Sequence, residues 1–186
     1  MPSKLQPNYL AGYPPALVAP VLRLIEENRL GAILLQKYPQ AHAVRTDRGL
    51  YDYVQEIKGD YLRNAGQLSK VAFDSTLHVI RNALGTHTSI SRVQGSKLKT
   101  KREIRIAALF REAPPEFLRM IVVHELAHMK ERDHDKAFYQ LCQHMEPDYF
   151  QLEFDLRAYL CHLRVTGQPL WPAAELQRVS GPDVAV

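Results

Sequence analysis

The sequence predicts an α+β domain in which a small antiparallel or mixed sheet of about three strands packs against helices. Two patterns carry that prediction. Apolar residues recur at helical spacing near both ends of the chain and alternate through its middle, so strands and helices fall in separate runs instead of repeating pairs. At 186 residues and 46% apolar content the chain can bury one sizeable core. A single domain over 1–186 is expected, with a helical part over 1–70, a core over 71–150 and a C-terminal helix and tail over 151–186.

Residues 1–19 are rich in proline and are expected to be extended. From Ala19 to Lys37 the residues Val21, Leu22, Leu24, Ile25, Leu30, Ile33 and Leu34 mark helical periodicity, with an interruption expected at Gly31. A second helix is expected from Leu50 to Asn64. Thr76 to Arg81, Thr86 to Val93 and Glu103 to Phe110 read as the strands, the last ending in a buried run. Helices are expected over Pro115 to Arg132, Asp135 to Met145 and Phe150 to Val165. Pro115 suits a first helical turn, Glu116 suits the positive end of the dipole, and Asp135 is placed to cap the next helix. Beyond Gly167, the residues Pro169, Pro172 and Gly181 predict an irregular tail, with Trp171 docked on the core.

The helix that begins at Pro115 carries the chemistry, in the run His124-Glu125-Leu126-Ala127-His128. Helix positions i and i+4 return to nearly the same face one turn apart. His124 and His128 can therefore point two imidazoles at one ion, at the roughly 2.0–2.1 Å that a Zn–N bond requires. Glu125 projects beside them, where it can act as general base on a zinc-bound water without being a ligand. With eight histidines in the chain, only about 0.02 such matches would arise by chance. Apart from the motif residues, Met120 to Met129 is apolar nearly all round, which predicts a helix buried on every side. Two imidazoles and a carboxylate buried there without partners would be costly, so they are expected to hold a metal.

A catalytic zinc takes three protein ligands and keeps one position open. His134, beyond the charge-rich stop Lys130-Glu131-Arg132-Asp133, is the candidate for the third. Its spacing from His128 is that of the long metzincin motif, but Glu131 stands where that motif has glycine, which argues against a metzincin. His144, Glu146, Glu153 and Asp155 are competing donors, and Asp133 or Asp135 could orient an imidazole. Tyr139, Tyr149 and Arg92 are candidates for stabilising an oxyanion, and Arg92 and Tyr139 are the substrate-binding candidates. His78 and His87 read as sheet-surface residues, and His42 and His162 carry no pattern.

The run from His124 to Lys130 with His134 and Phe138, then Met145-Glu146-Pro147-Asp148-Tyr149, resembles the YgjP-like metal-dependent hydrolases, minimal zincins related to the SprT-like and WLM groups. Ile104-Arg105-Ile106, Pro114-Pro115 and Ile121-Val122-Val123 are similar to that family too, so that the likeness covers about residues 90–150. The resemblance implies a zincin-like core with the active-site helix central, His124, His128 and His134 as zinc ligands, Glu125 as general base, and a metallopeptidase. It also implies a sheet edge, expected at the Glu103 to Phe110 strand, that pairs with an extended peptide. Where the family carries an Arg-Trp-Gly-Ser-Cys-like stretch, this chain reads Arg92-Val93-Gln94-Gly95-Ser96.

Composition narrows the setting. No 18-residue apolar run exists, so no transmembrane helix and no membrane partner are expected, and prolines 14, 15 and 20 break up the one candidate leader. Cys142 and Cys161 read as reduced core thiols of a cytoplasmic protein. Between Arg92 and Arg105 stand six basic residues and one acidic, a local charge of +5 against +4 for the whole chain. That segment is expected to be a hairpin able to attract nucleotide phosphates, nucleic acid or an acidic protein. The function expected first is a zinc peptidase; the alternative is a metal-dependent nucleotide pyrophosphatase or other non-peptide hydrolase, and after it a zinc-stabilised nucleic-acid-binding module without catalysis.

Overall fold

The computed structural model describes residues 9–77, 85–94 and 97–171, with the backbone alone of 85–94 and 97–101. The chain is α+β: six α-helices and a three-stranded sheet are present among the described residues. The first helix, α1 (Pro15–Glu26), starts inside the segment expected to be extended, because a proline in the first helical turn sacrifices no hydrogen bond. The interruption expected at Gly31 falls earlier, at residues 27–29, where Asn28 takes φ 53°, a left-handed conformation that asparagine tolerates. Gly31 lies inside α2 (Leu30–Lys37) and serves a different end. A Cβ there would stand 3.0 Å from His162 Cε1 and 3.1 Å from Leu170 Cδ2, so glycine allows the close approach of α2 to the last helix. α3 (Asp47–Tyr61) begins where the Thr46 hydroxyl accepts the Gly49 N–H.

The first strand lies ahead of the expected Thr76 to Arg81 segment, of which only Thr76 and Leu77 are described. It is β1 (Leu68–Asp74), which ends where Asp74 accepts both the backbone N–H and the hydroxyl of Thr76 and closes a turn. Residues 78–81, His78 among them, lie outside the described residues. β2 (Gly85–Gln94) and β3 (Lys97–Ala107) follow. The spatial order is β1-β3-β2, with β3 parallel to β1 (Val71↔Ile104, Phe73↔Ile106) and antiparallel to β2 from Gly85↔Ile106 to Gln94↔Lys97. The sheet is therefore mixed, and the strand expected at its edge is its centre. Ile104 and Ile106 are fully buried while Glu103 and Arg105 alternate outward, as a strand packed on one face requires. The strand stops at Ala107, short of Phe110, because Ala108–Glu112 winds into a short 3₁₀ helix.

α4 (Pro115–Ala127) carries the motif and packs against α3, β2 and β3. From Phe117 to Ala127 all its residues but Arg119 are buried. It ends at Ala127, with His128 as its C-cap, and not at Arg132. α5 (Lys136–Met145) is capped by Asp135, which accepts the Phe138 N–H at 3.0 Å, as expected. α6 (Tyr149–Thr166) closes on Gly167 at φ 68°. Trp171 is docked as expected, its indole N–H donating to the Tyr38 carbonyl at 2.8 Å. No described helix is long and apolar enough to cross a membrane.

One buried carboxylate ties α2 to α6. Asp155 accepts from Tyr38 and Lys37, each at 2.6 Å, and from Gln151 at 2.9 Å. Burial and this carboxylate together raise the Tyr38 hydroxyl above its ordinary pKa. Tyr38→Phe deletes one donor to a buried charge and should lower stability by about 1–3 kcal/mol. Thermal unfolding read by circular dichroism checks this; an unchanged midpoint would remove the Tyr38 to Asp155 bond from the supports of the fold.

Candidate metal centre

His124 and His128 leave the C-terminal turn of α4 on one face, one turn apart. Past His128 the helix unwinds through backbone bonds from Met129 to Leu126 and from Lys130 and Glu131 to Ala127. The chain then doubles back, and His134 meets the other two. Its Nε2 lies 3.1 Å from that of His128 and 3.2 Å from that of His124. The exposure rises from buried His124 through half-buried His128 to exposed His134, so the cluster opens to solvent on one side.

Each of the two α4 imidazoles is held from behind. The far nitrogen of His124, Nδ1, bonds the Tyr149 hydroxyl at 2.6 Å. That of His128 donates to the Glu131 carbonyl at 3.0 Å, which leaves its Nε2 as a bare lone pair in the neutral ring. The Phe138 ring, centred 4.6–5.0 Å from all three imidazoles, forms a common apolar floor. Burial, with the neighbouring His128 and His134, lowers the His124 pKa to about 3, and burial lowers that of His128 as well. Both rings are accordingly neutral at pH 7, the form that binds metal.

Glu125, next in the chain to His124, is buried with neither carboxylate oxygen hydrogen-bonded. Burial pushes its pKa up to about 8. A cation at the imidazoles would draw that value back down. The residues fit such a cation on two counts. Tetrahedral bonds of 2.0–2.1 Å place ligand atoms about 3.3 Å apart, close to the separations found here. Glu125 is a buried polar group left without a partner, and a nearby cation or its water would supply one.

Competing donors are engaged elsewhere. Glu146 pairs with Arg119 at 2.6 Å, Glu153 with Arg157 at 2.7 Å, and Asp155 with Lys37 and Tyr38. His144 is exposed and meets Tyr61 edge-on, and Asp135 caps α5. Among the described residues no fourth His, Cys, Asp or Glu joins the group of three. His42 is structural: its Nδ1 accepts the Val44 N–H, so its Nε2–H donates to the Phe110 carbonyl at 2.6 Å. Tyr139 stands beside the cluster, its ring 6.4 Å from that of His134. The side chains of Arg92, His87, Lys97, Lys99 and Lys101 lie outside the described residues. Of the basic segment, Arg105 is paired with Asp74 at 2.9 Å and Glu103 at 3.7 Å.

Tyr149 serves differently from the oxyanion role its residue type suggested, since it stands behind His124 and not across from it. The Glu131 carbonyl was invisible in advance, because a backbone oxygen carries no residue identity.

Three imidazoles converging on one point, a carboxylate one residue into the motif and an open side form the arrangement of the HExxH metal-dependent hydrolases. The YgjP-like metallopeptidase domain matches residues 72–159. A curated protein of Escherichia coli (strain K12) named UTP pyrophosphatase is 58% identical over 156 residues, 84% of this chain and 93% of that protein. The chain belongs to the YgjP-like family. No solved structure matches it.

Tyr149→Phe should fold normally yet bind a divalent ion about tenfold more weakly, since the hydrogen bond that aims His124 is lost. Competition against a chelating dye measures this, and an unaltered affinity would deny Tyr149 its part in orienting His124.

Proposed function

We propose that the chain is a zinc-dependent hydrolase that cleaves a phosphoanhydride bond of nucleoside triphosphates, releasing pyrophosphate. The single observation that carries the hydrolase reading is the convergence of His124, His128 and His134 beside the unpartnered carboxylate of Glu125. Three ligands and an open side suit catalysis, whereas a structural zinc is closed by four. The nucleotide reading is supported by the E. coli relative named UTP pyrophosphatase. The basic segment from Arg92 to Arg105 has the charge that a triphosphate requires, and Arg92 is a proposed contact to it.

A divalent ion at the three imidazoles would supply a Lewis acid that polarises a phosphoryl oxygen and acidifies water. Glu125 takes the proton of the water that adds to phosphorus, and the phosphoanhydride bond breaks as pyrophosphate leaves. Tyr149 and the Glu131 carbonyl hold His124 and His128 in place during this step. Glu125 is 1% exposed, so bulk water is kept from it and electrostatic interactions made there are little screened.

A peptide substrate is the second reading, favoured by the metallopeptidase description of the family and by β2, which lies against α4 and has no strand on its outer side among the described residues. Strand addition at β3, expected from the sequence, is blocked because β1 and β2 occupy both its sides.

Purified protein should contain about one zinc per chain by mass spectrometry, and His134→Ala should lose it. Metal retained in that variant would move the third ligand elsewhere. Zinc-loaded wild type should release pyrophosphate from UTP, and Glu125→Gln should keep the metal while losing at least about a hundredfold in kcat. Turnover of peptides in place of UTP would transfer the site to the second reading.

A further inference from the structure

We propose that Tyr139 and Phe150 form a stacking platform for the nucleobase of the triphosphate, beside the three-histidine cluster; this rests on the nucleotide reading above. Phe150 is 45% exposed, and it is the one aromatic among the large apolar side chains that stand open to solvent in the described residues. The others are aliphatic: Leu17, Leu22, Ile33 and Leu35 on α1 and α2, and Val165 at the far end of α6. Aromatic exposure therefore coincides with the mouth of the metal centre and occurs nowhere else in that set.

The placement follows from the helix. Tyr149 and Phe150 are successive residues at the start of α6, about 100° apart around its axis. Tyr149 is turned inward onto His124, which leaves Phe150 turned out. The Phe150 ring lies 5.4 Å from that of Tyr139 with a tilt of 36°, and Tyr139 lies 6.4 Å from the ring of exposed His134 with a tilt of 30°. The three rings make a continuous row leading from the open side of the cluster outward. A nucleoside triphosphate has a matching layout. Its base is separated from the α-phosphorus by one ribose, so a group that reads the base must stand beside the metal and not within the ligand set.

The chemistry also fits. Every nucleobase presents a flat π face, and aromatic side chains bind that face with little regard to which base it belongs to. Glu153 and Arg157, further along α6 from Phe150, are paired with each other at 2.7 Å, so neither offers a free charge, and what the two rings themselves present is an apolar face suited to a base and not to a phosphate. The platform is thus expected to raise affinity for nucleotides over inorganic polyphosphate while discriminating weakly among bases.

The test compares zinc-loaded wild type with Phe150→Ala, Phe150→Leu and Phe150→Trp, using UTP as substrate and inorganic tripolyphosphate as competitive inhibitor. Phe150→Ala and Phe150→Leu should raise the KM for UTP about tenfold and leave the Ki of tripolyphosphate in place, while Phe150→Trp should keep a low KM. A KM that does not move, or one that rises in step with the Ki, overturns the platform with the hydrolysis of UTP still intact. Wild type that cleaves peptides and not UTP overturns the nucleotide reading and the platform with it. Equal rescue by Leu and Trp would also overturn it, because bulk alone would then suffice.

Discussion

Desolvation of the polar residues on α4 is the constraint around which the rest of the structure is arranged, because that helix serves both as the centre of the core and as the seat of the chemistry. Its neighbours on nearly every side are apolar, and residues such as Met120, Ile121, Val122 and Val123 are fully buried. Within that surface His124 and Glu125 are 6% and 1% exposed. Groups so placed must be satisfied or must change their protonation state. The chain does both. Burial keeps the imidazoles neutral and raises the carboxyl, while Tyr149 and the Glu131 carbonyl answer the rear nitrogens of the two α4 histidines. What remains unanswered is a set of three converging forward nitrogens and, one residue along from His124, two buried carboxylate oxygens of Glu125 without a hydrogen bond.

The surrounding elements are what keep that set convergent. α6 brings Tyr149 from 25 residues downstream of His124, so the aim of this imidazole depends on the packing of a distant helix. α6 in turn is fixed by Asp155 to α2 and by the Trp171 cluster, in which Tyr38, Phe117 and Tyr159 surround the indole. α5 contributes Phe138, and its Asp135 cap fixes the start of the helix right after His134. The acidic residues that could have served as ligands are instead spent on these ties. Glu146 holds Arg119 of α4, and Glu153 holds Arg157, whose guanidinium also reaches the Tyr9 carbonyl.

Much of the centre was legible in the sequence because its information is local. The i, i+4 histidine pair, the glutamate between them, the capping Asp135 and the return of His134 all lie within about three helical turns. The rest depends on pairings between distant segments. β1 hides because Ser69 and Lys70 interrupt its alternation, and what orders it is parallel pairing with β3 and the Asp47 carboxylate that accepts the Phe73 N–H. β3 reads as an edge when its own residues are considered, since Glu103 and Arg105 alternate with Ile104 and Ile106. Only the arrival of β1 from across the sheet makes it central. Gly31 reads as a helix breaker by propensity, but the tertiary need for a close α2 to α6 contact overrides that cost. Tyr149 carried a residue type open to several roles, and only the fold chose among them.

The centrality of β3 bears on what the open site can accept. In strand addition the substrate gains its affinity from backbone hydrogen bonds along a free edge, and the strand must run beside the metal for the scissile bond to arrive there. Here the strand leading into α4 has both its edges filled, so a peptide would have to use β2 instead. A nucleotide needs no such edge. It needs a cation for its phosphates, positive charge along the approach, and a flat apolar surface one ribose away. The same first turn of α6 that aims His124 through Tyr149 presents Phe150 outward, so the residues that hold the metal site and those that border its mouth are set by one helix start. Any shift of α6 would therefore move the His124 imidazole and the exposed Phe150 ring together, so on the proposed reading one helix start sets both the metal site and the surface beside it.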